Sequence, residues 1–157
     1  MRVVFLDYDG VVNTPVWDDD TKCFRFNYPD NNRVNNPRCV QLVSEFCEKY
    51  GYSIVVTSTW RFYDNYIDCL KNGGLSSKVE VVGKTPIVSF GTRADEIKIV
   101  LAAHPSVTHY LIFDDENDLE DLDDHLVLCD SDRGFSIEEY YKAERLHTIL
   151  CAHEEDT

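Results

Sequence analysis

Five short apolar runs, at residues 3–8, 53–57, 79–82, 110–113 and 126–129, are separated by longer stretches in which apolar residues recur at helical spacing. That alternation is the pattern of strands joined by crossover helices. The runs are apolar throughout instead of alternating, so the sheet they build is covered on both faces. Helices are predicted over 37–50, with Val40, Val43, Phe46 and Cys47 on one face, over 63–71, stopped by Gly73-Gly74, and over 94–103. A last helix over 136–150 opens on Ser136 with Glu139 three residues on, the spacing of a capping box. The expectation is a three-layer α/β/α, Rossmann-like domain on a five-stranded, mainly parallel sheet.

At 157 residues, 43% of them hydrophobic, the chain can bury one substantial core. No repeat, low-complexity tract or linker divides it, so a single domain over 1–157 is expected. Residues 15–36, rich in Asp, Asn and aromatics but without period, read as a small flap insert, and with the short stretch 60–74 they are the only material for a cap. Its Trp17, Phe24, Phe26 and Tyr28 are expected to pack on the body. The formal net charge of -14 repels polyanions, which excludes extended nucleic-acid binding and anionic membranes as partners. Any phosphate-bearing substrate must then meet a local reversal of sign.

Cys23, Cys39, Cys47, Cys69, Cys129 and Cys151 form no CxxC pair, and the histidines lack metal-finger spacing. Neither a zinc site nor a disulfide framework is indicated. Free thiols, an N-terminus that reads as strand, and no apolar span of about 20 residues lead to the expectation of a soluble, cytoplasmic protein. The sequence sets no oligomeric state.

The candidate chemistry gathers at strand ends. The first run closes with Asp7-Tyr8-Asp9-Gly10. Residues two apart on a regular strand lie about 6.6 Å apart on one face, so both carboxylates should point the same way. Such a pair needs a cation, a proton or a hydrogen-bond network. A turn would explain Asp and Gly here equally well, but ligand sites in open α/β sheets lie at the carboxyl ends of strands. The fourth run ends in Asp114-Asp115, with Asp118 behind. If the two strands are parallel neighbours, at least three carboxylates converge, a hard oxygen set suited to Mg²⁺. Eight of the eleven residues from 114 to 124 are acidic, and most of such a run is a solvated face. Glu120, Asp121, Asp123 and Asp124 are therefore read as surface.

The segment "SIVVTSTWR" ends the second strand in Thr57 and Ser58, followed by Trp60 and Arg61. Hydroxyls can hold phosphoryl oxygens and a guanidinium matches phosphate, although Ser and Thr at such junctions also cap helices. Lys84, Arg93 and Lys98, between the second and fourth strands, are candidate cations near a phosphate, each equally at home on a surface.

In this order and at these strand ends, the residues resemble the haloacid dehalogenase-like (HAD) phosphatase superfamily over nearly the whole chain. Asp7-Tyr8-Asp9-Gly10 looks like its DxDG motif, Thr57 or Ser58 like its second-strand hydroxyl, and Asp114-Asp115 like its acidic fourth motif. Within the superfamily the chain resembles the small HAD domains associated with RNA repair proteins, through "TSTWR" at 57–61, "RADEI" at 93–97 and "DDEND" at 114–118. The 3'-phosphatase domain of polynucleotide kinase is a more distant likeness.

The resemblance implies a Mg²⁺-dependent phosphohydrolase with Asp7 as the nucleophile that becomes an aspartyl-phosphate. It makes Asp9 the general acid and base, with its backbone carbonyl on the metal, and Asp115 or Asp114 a further metal ligand. Thr57 or Ser58 would hold a phosphoryl oxygen, Thr57 preferred because it directly follows Ile54-Val55-Val56. The third-motif cation would be Lys98, with Lys84 and Arg93 as alternatives; Ser58, Arg61, Lys84 and Arg93 would form a substrate-binding rim. An acid at Asp9 favours hydrolysis or phosphoryl transfer over dehalogenation. The minimal cap suits a nucleic-acid end or nucleotide held by its terminal phosphate. Small phosphometabolites, phosphoproteins and a catalytically silent binding module stand as alternatives. A receiver-type domain is disfavoured, because its phosphoacceptor Asp follows the third strand, where this chain has Gly83-Lys84.

Overall fold

The computed structural model describes residues 1–26 and 32–155. In chain order the regular elements are β1 (Arg2–Leu6), β2 (Val16–Asp18), β3 (Cys23–Arg25), α1 (Pro37–Tyr50), β4 (Tyr52–Val56), α2 (Tyr66–Asn72), β5 (Val81–Lys84), α3 (Arg93–Ala103), β6 (His109–Asp114), β7 (Leu126–Leu128) and α4 (Ile137–Glu155). The five longer-range strands form one parallel sheet in the order β5-β4-β1-β6-β7. This is the α/β, Rossmann-like arrangement expected.

Alternation along β1 sends Val4 and Leu6 to one face and Val3 and Phe5 to the other. The first pair joins Ile54, Val56, Leu111 and Phe113 in the larger core, against Val40, Val43 and Phe46 of α1 and Ala143 of α4. The second joins Val55 and Ile112 in a smaller core with Ala94 and Ile97 of α3. Helix α1 follows the predicted bounds because its ends are chemically marked. The Asn36 side chain accepts from the Cys39 amide, Pro37 starts the helix where an N–H is not needed, and Gly51 closes it at φ 73.

Three expectations are corrected. The third strand lies at Val81–Lys84, not 79–82, because Val79 turns into the larger core and the ladder with β4 begins at Glu80, whose carbonyl accepts from the Ile54 amide. The second helix is preceded by a 3-10 turn, Thr59–Phe62, and begins at Tyr66, since Tyr63 adopts extended backbone. The flap is a β2–β3 hairpin whose Trp17 and Phe24 pack edge to face at 5.2 Å, and Trp17, Phe24 and Phe26 stay exposed instead of packing on the body. Tyr28 lies outside the described residues.

Strand register positions the site. Leu6 is level with Val56 and Phe113, so Asp7, Thr57 and Asp114 arrive together at the carboxyl edge. The ladder runs one residue past the strands: the Thr57 amide donates to Leu6 and the Asp7 amide to Phe113. The chain passes from β1 to β4 on one side and returns from β5 to β6 on the other side of β1, so the topological switch point falls between β1 and β6. Among the described residues the six cysteines are unpaired, and no helix is long and apolar enough to cross a membrane.

Candidate active site

Beyond Leu6 the chain leaves the sheet in a tight turn. The Tyr8 carbonyl accepts from the amides of Val11, Val12 and Asn13, and Gly10 takes φ +81. Tyr8 itself is core, with its hydroxyl on the Tyr66 carbonyl at 2.7 Å. The turn separates the two acids that a regular strand would have kept on one face. Asp7 stays at the sheet edge and its Oδ1 accepts from the Tyr8 amide at 2.9 Å. Asp9 is held elsewhere: its Oδ1 accepts from Asn13 Nδ2 at 2.8 Å and from Trp60 Nε1 at 3.1 Å.

Asp7, Asp114 and Asp115 each bring a carboxylate oxygen into a group within 4.8 Å of one another. Asp114 is fully buried; its Oδ1 accepts from the Glu116 amide and its Oδ2 from Arg93 Nη1 at 2.6 Å. The same Arg93 nitrogen lies 3.2 Å from Asp7 Oδ2. Burial pushes the Asp7 carboxyl up to about 8, against the pull of Arg93 and with the push of Asp114 and Asp115. Asp115 is raised to about 6 by burial and by Asp114. Burial also works against the charge on Arg93, but Asp7 and Asp114 outweigh it and raise its pKa.

Asp7 and Asp114 share the Arg93 guanidinium and Asp115 is grouped with them, so three carboxylates gather around one cation. The donors are all hard oxygens, and burial holds Asp7 and Asp115 above the ordinary carboxylate range, which fits a further cation of the Mg²⁺ class. Gly10 lets the turn come close: a Cβ there would lie 2.2 Å from Asp115 Oδ2. The carboxylate of Asp9 is not in the group.

Thr57 Oγ1 is the one buried side-chain nitrogen or oxygen without a hydrogen-bond partner among the described residues. Ser58, by contrast, caps the 3-10 turn by accepting from the Trp60 amide at 3.2 Å. Thr57 is thus the hydroxyl without a partner, while the Ser58 oxygen is engaged as a cap acceptor.

The candidate cations also separate. Lys98, preferred from sequence, is corrected by geometry: its ammonium pairs with Glu120 at 3.2 Å and Asp121 at 2.6 Å on the acidic surface. Arg93 is the cation brought to the carboxylates. Lys84 is exposed, donates to the Arg61 carbonyl at 3.1 Å and lies over the Tyr66 ring. Arg61, expected on the substrate rim, is buried, with its guanidinium turned to the backbone and to Glu96. Asn13 and Glu96 escape sequence reasoning. Asn13 is an unmarked loop residue, but Glu96 lies inside "RADEI", one turn from Arg93, and that spacing could have flagged it.

The family described as the HAD domain in Swiss Army Knife RNA repair proteins has a model that matches residues 3–140, which spans all of the residues above. No curated protein and no solved structure matches the chain.

Proposed function

The chain belongs to this family of HAD domains, and from that premise we propose that it is a Mg²⁺-dependent phosphomonoesterase that works through an aspartyl-phosphate on Asp7. The observation that carries the reading is the Asp7 carboxylate at the β1 edge, grouped with Asp114 and Asp115 and touched by Arg93. The Asp7 oxygen attacks phosphorus, and the bond from phosphorus to the leaving oxygen breaks. Asp9, held through one oxygen by Asn13 and Trp60, gives its proton to that leaving oxygen. It then takes a proton from the water that cleaves the aspartyl-phosphate, releasing phosphate and restoring Asp7. Thr57 Oγ1 donates to a phosphoryl oxygen, and Arg93 balances charge that builds on the equatorial oxygens.

Asp7, Asp114 and Asp115, with the Asp9 carbonyl, would hold Mg²⁺. When bound, the ion supplies Lewis-acid stabilisation of phosphoryl charge and keeps the buried carboxyls ionised.

The family's description ties such domains to RNA repair, which supports a nucleic-acid end or nucleotide as substrate. A chain of net charge -14 suits contact with the terminal phosphate alone. The test compares phosphate release from 3'- and 5'-phosphorylated oligonucleotides, mononucleotides and sugar phosphates, with Mg²⁺, by the wild type and Asp7→Asn. Release from terminal nucleotides by the wild type alone is expected. Equal release by both proteins, or none on any substrate, overturns the reading, and a preference for sugar phosphates overturns the substrate class.

A further inference from the structure

Arg61 is 5% exposed, and its guanidinium makes four hydrogen bonds within the protein. Nε donates to the Thr85 carbonyl at 3.1 Å, Nη1 to the carbonyls of Thr57 at 2.7 Å and Ser58 at 3.0 Å, and Nη2 meets the Glu96 carboxylate. These four hydrogen bonds leave no free fork for a phosphate. They reach three separate segments: the end of β4, the residue after β5, and the first turn of α3. Glu96 and Arg93 are three residues apart on α3 and share a side of that turn. One reaches Arg61; the other reaches Asp7 and Asp114.

We infer that Arg61 and Glu96 are positioning residues, a buried clamp that sets the Thr57 hydroxyl and the Arg93 guanidinium at a fixed distance from Asp7. The inference rests on the phosphomonoesterase reading for its kinetic consequences, but the clamp itself is a property of the fold. Arg61 shapes the Thr57 side by holding the Thr57 and Ser58 carbonyls. Glu96 shapes the Arg93 side by anchoring the helix turn that carries it. Because the Arg61 carbonyl also accepts from Lys84, the clamp is tied to the edge strand as well.

The substitution that tests it is Glu96→Ala, which leaves Arg61 in place without its acceptor. Were Arg61 a substrate ligand, this change would free it for phosphate and leave kcat intact. A clamp predicts a fall in kcat on the order of 10- to 100-fold from misplacement. KM for a mononucleotide should change by less than about threefold. In an Arg93→Ala background most of the Glu96→Ala loss should disappear, since the clamp acts through Arg93. Equal losses in both backgrounds, or a loss confined to KM, overturn the inference.

The arginine Nε–H signals in a ¹⁵N-correlated NMR spectrum give a readout that needs no turnover. The Arg93 signal should be sharp in the wild type and broadened or lost in Glu96→Ala; an unchanged signal rejects the clamp. If the wild type releases no more phosphate than Asp7→Asn, the hydrolase reading fails while this spectrum still decides the clamp. Should Glu96→Ala not fold, Glu96→Gln keeps the acceptor's shape without its charge, and a smaller kcat loss with the same non-additivity is expected. Wild-type kinetics in Glu96→Gln together with an unshifted Arg93 signal would reject the clamp in that variant.

Discussion

Thr57 carries a cost that the proposed phosphoryl contact would offset. A buried hydroxyl without a partner costs about 1–3 kcal/mol, and Thr57 Oγ1 is in that condition among the described residues. Thr57→Val keeps the volume and removes the polar atom. Its melting midpoint should therefore rise, by an amount equivalent to about 1 kcal/mol, while kcat/KM falls on the order of 100-fold through loss of a donor to the phosphoryl group. A variant that loses stability would show that the hydroxyl is satisfied in solution, and one that keeps its kcat/KM would show that it has no substrate role. Gly10 makes the complementary case. At φ +81 any side chain is strained, by about 1 kcal/mol, and the Cβ of alanine would have to displace Asp115. Gly10→Ala should fold, with Mg²⁺ affinity reduced in a calorimetric titration; unchanged affinity would take Asp115 out of the metal site.

Among the elements, α3 has the most direct line to chemistry. Its first turn holds both Arg93 and Glu96, and its start is fixed by a capping box in which Thr92 accepts from the Asp95 amide and Asp95 accepts from Thr92. Thr92→Ala should cost about 1 kcal/mol in denaturant unfolding. It should also lower kcat without moving the far-UV spectrum, because the turn frays before the helix does. Loss of stability with full kcat would mean that Arg93 is placed without help from the cap.

This helix also shows where sequence reasoning stops. The convergence of Asp7 with Asp114 and Asp115 was readable because parallel apolar strands ending in Asp meet at one edge; the place of Asp9 was not, because the turn after Leu6 breaks the strand's alternation. The cation was not, because Arg93 and Lys98 are five residues apart, about 140° around a helix, and only the packed phase of α3 decides which one faces the carboxylates. Thr57 and Ser58 pose the same problem on a strand, where neighbours face opposite ways. α1 could be placed to the residue because Asn36, Pro37 and Gly51 mark both ends. β5 could not, because the run 79–82 continues without a marker from a core-facing loop residue into an edge strand.

For the whole molecule, the site and the charge balance meet in the dependence of stability on pH and Mg²⁺. Asp7 is raised from its ordinary 3.8 to about 8, and Asp115 to about 6. The folded chain without a cation thus holds protons that the unfolded chain has released. Where the native state binds more protons, stability falls as pH rises, here progressively between the ordinary carboxylate pKa and about 8 for Asp7. Cation binding requires those carboxylates ionised, so its stabilising effect should grow across the same window.

In chelator, the melting midpoint should fall from about pH 5 to about pH 8; millimolar Mg²⁺ should do little at the acid end and restore most of the loss at the alkaline end. Mutual repulsion among 29 acidic side chains against 15 basic ones also grows with pH, but that field belongs to the surface and is screened by salt. Asp7→Asn separates the two contributions. It should lose the slope between about pH 6 and 8, and most of the Mg²⁺ effect there, while keeping the salt-sensitive decline at lower pH. A Mg²⁺ response that is flat with pH, or that persists undiminished in Asp7→Asn, would place the cation somewhere other than at the end of β1.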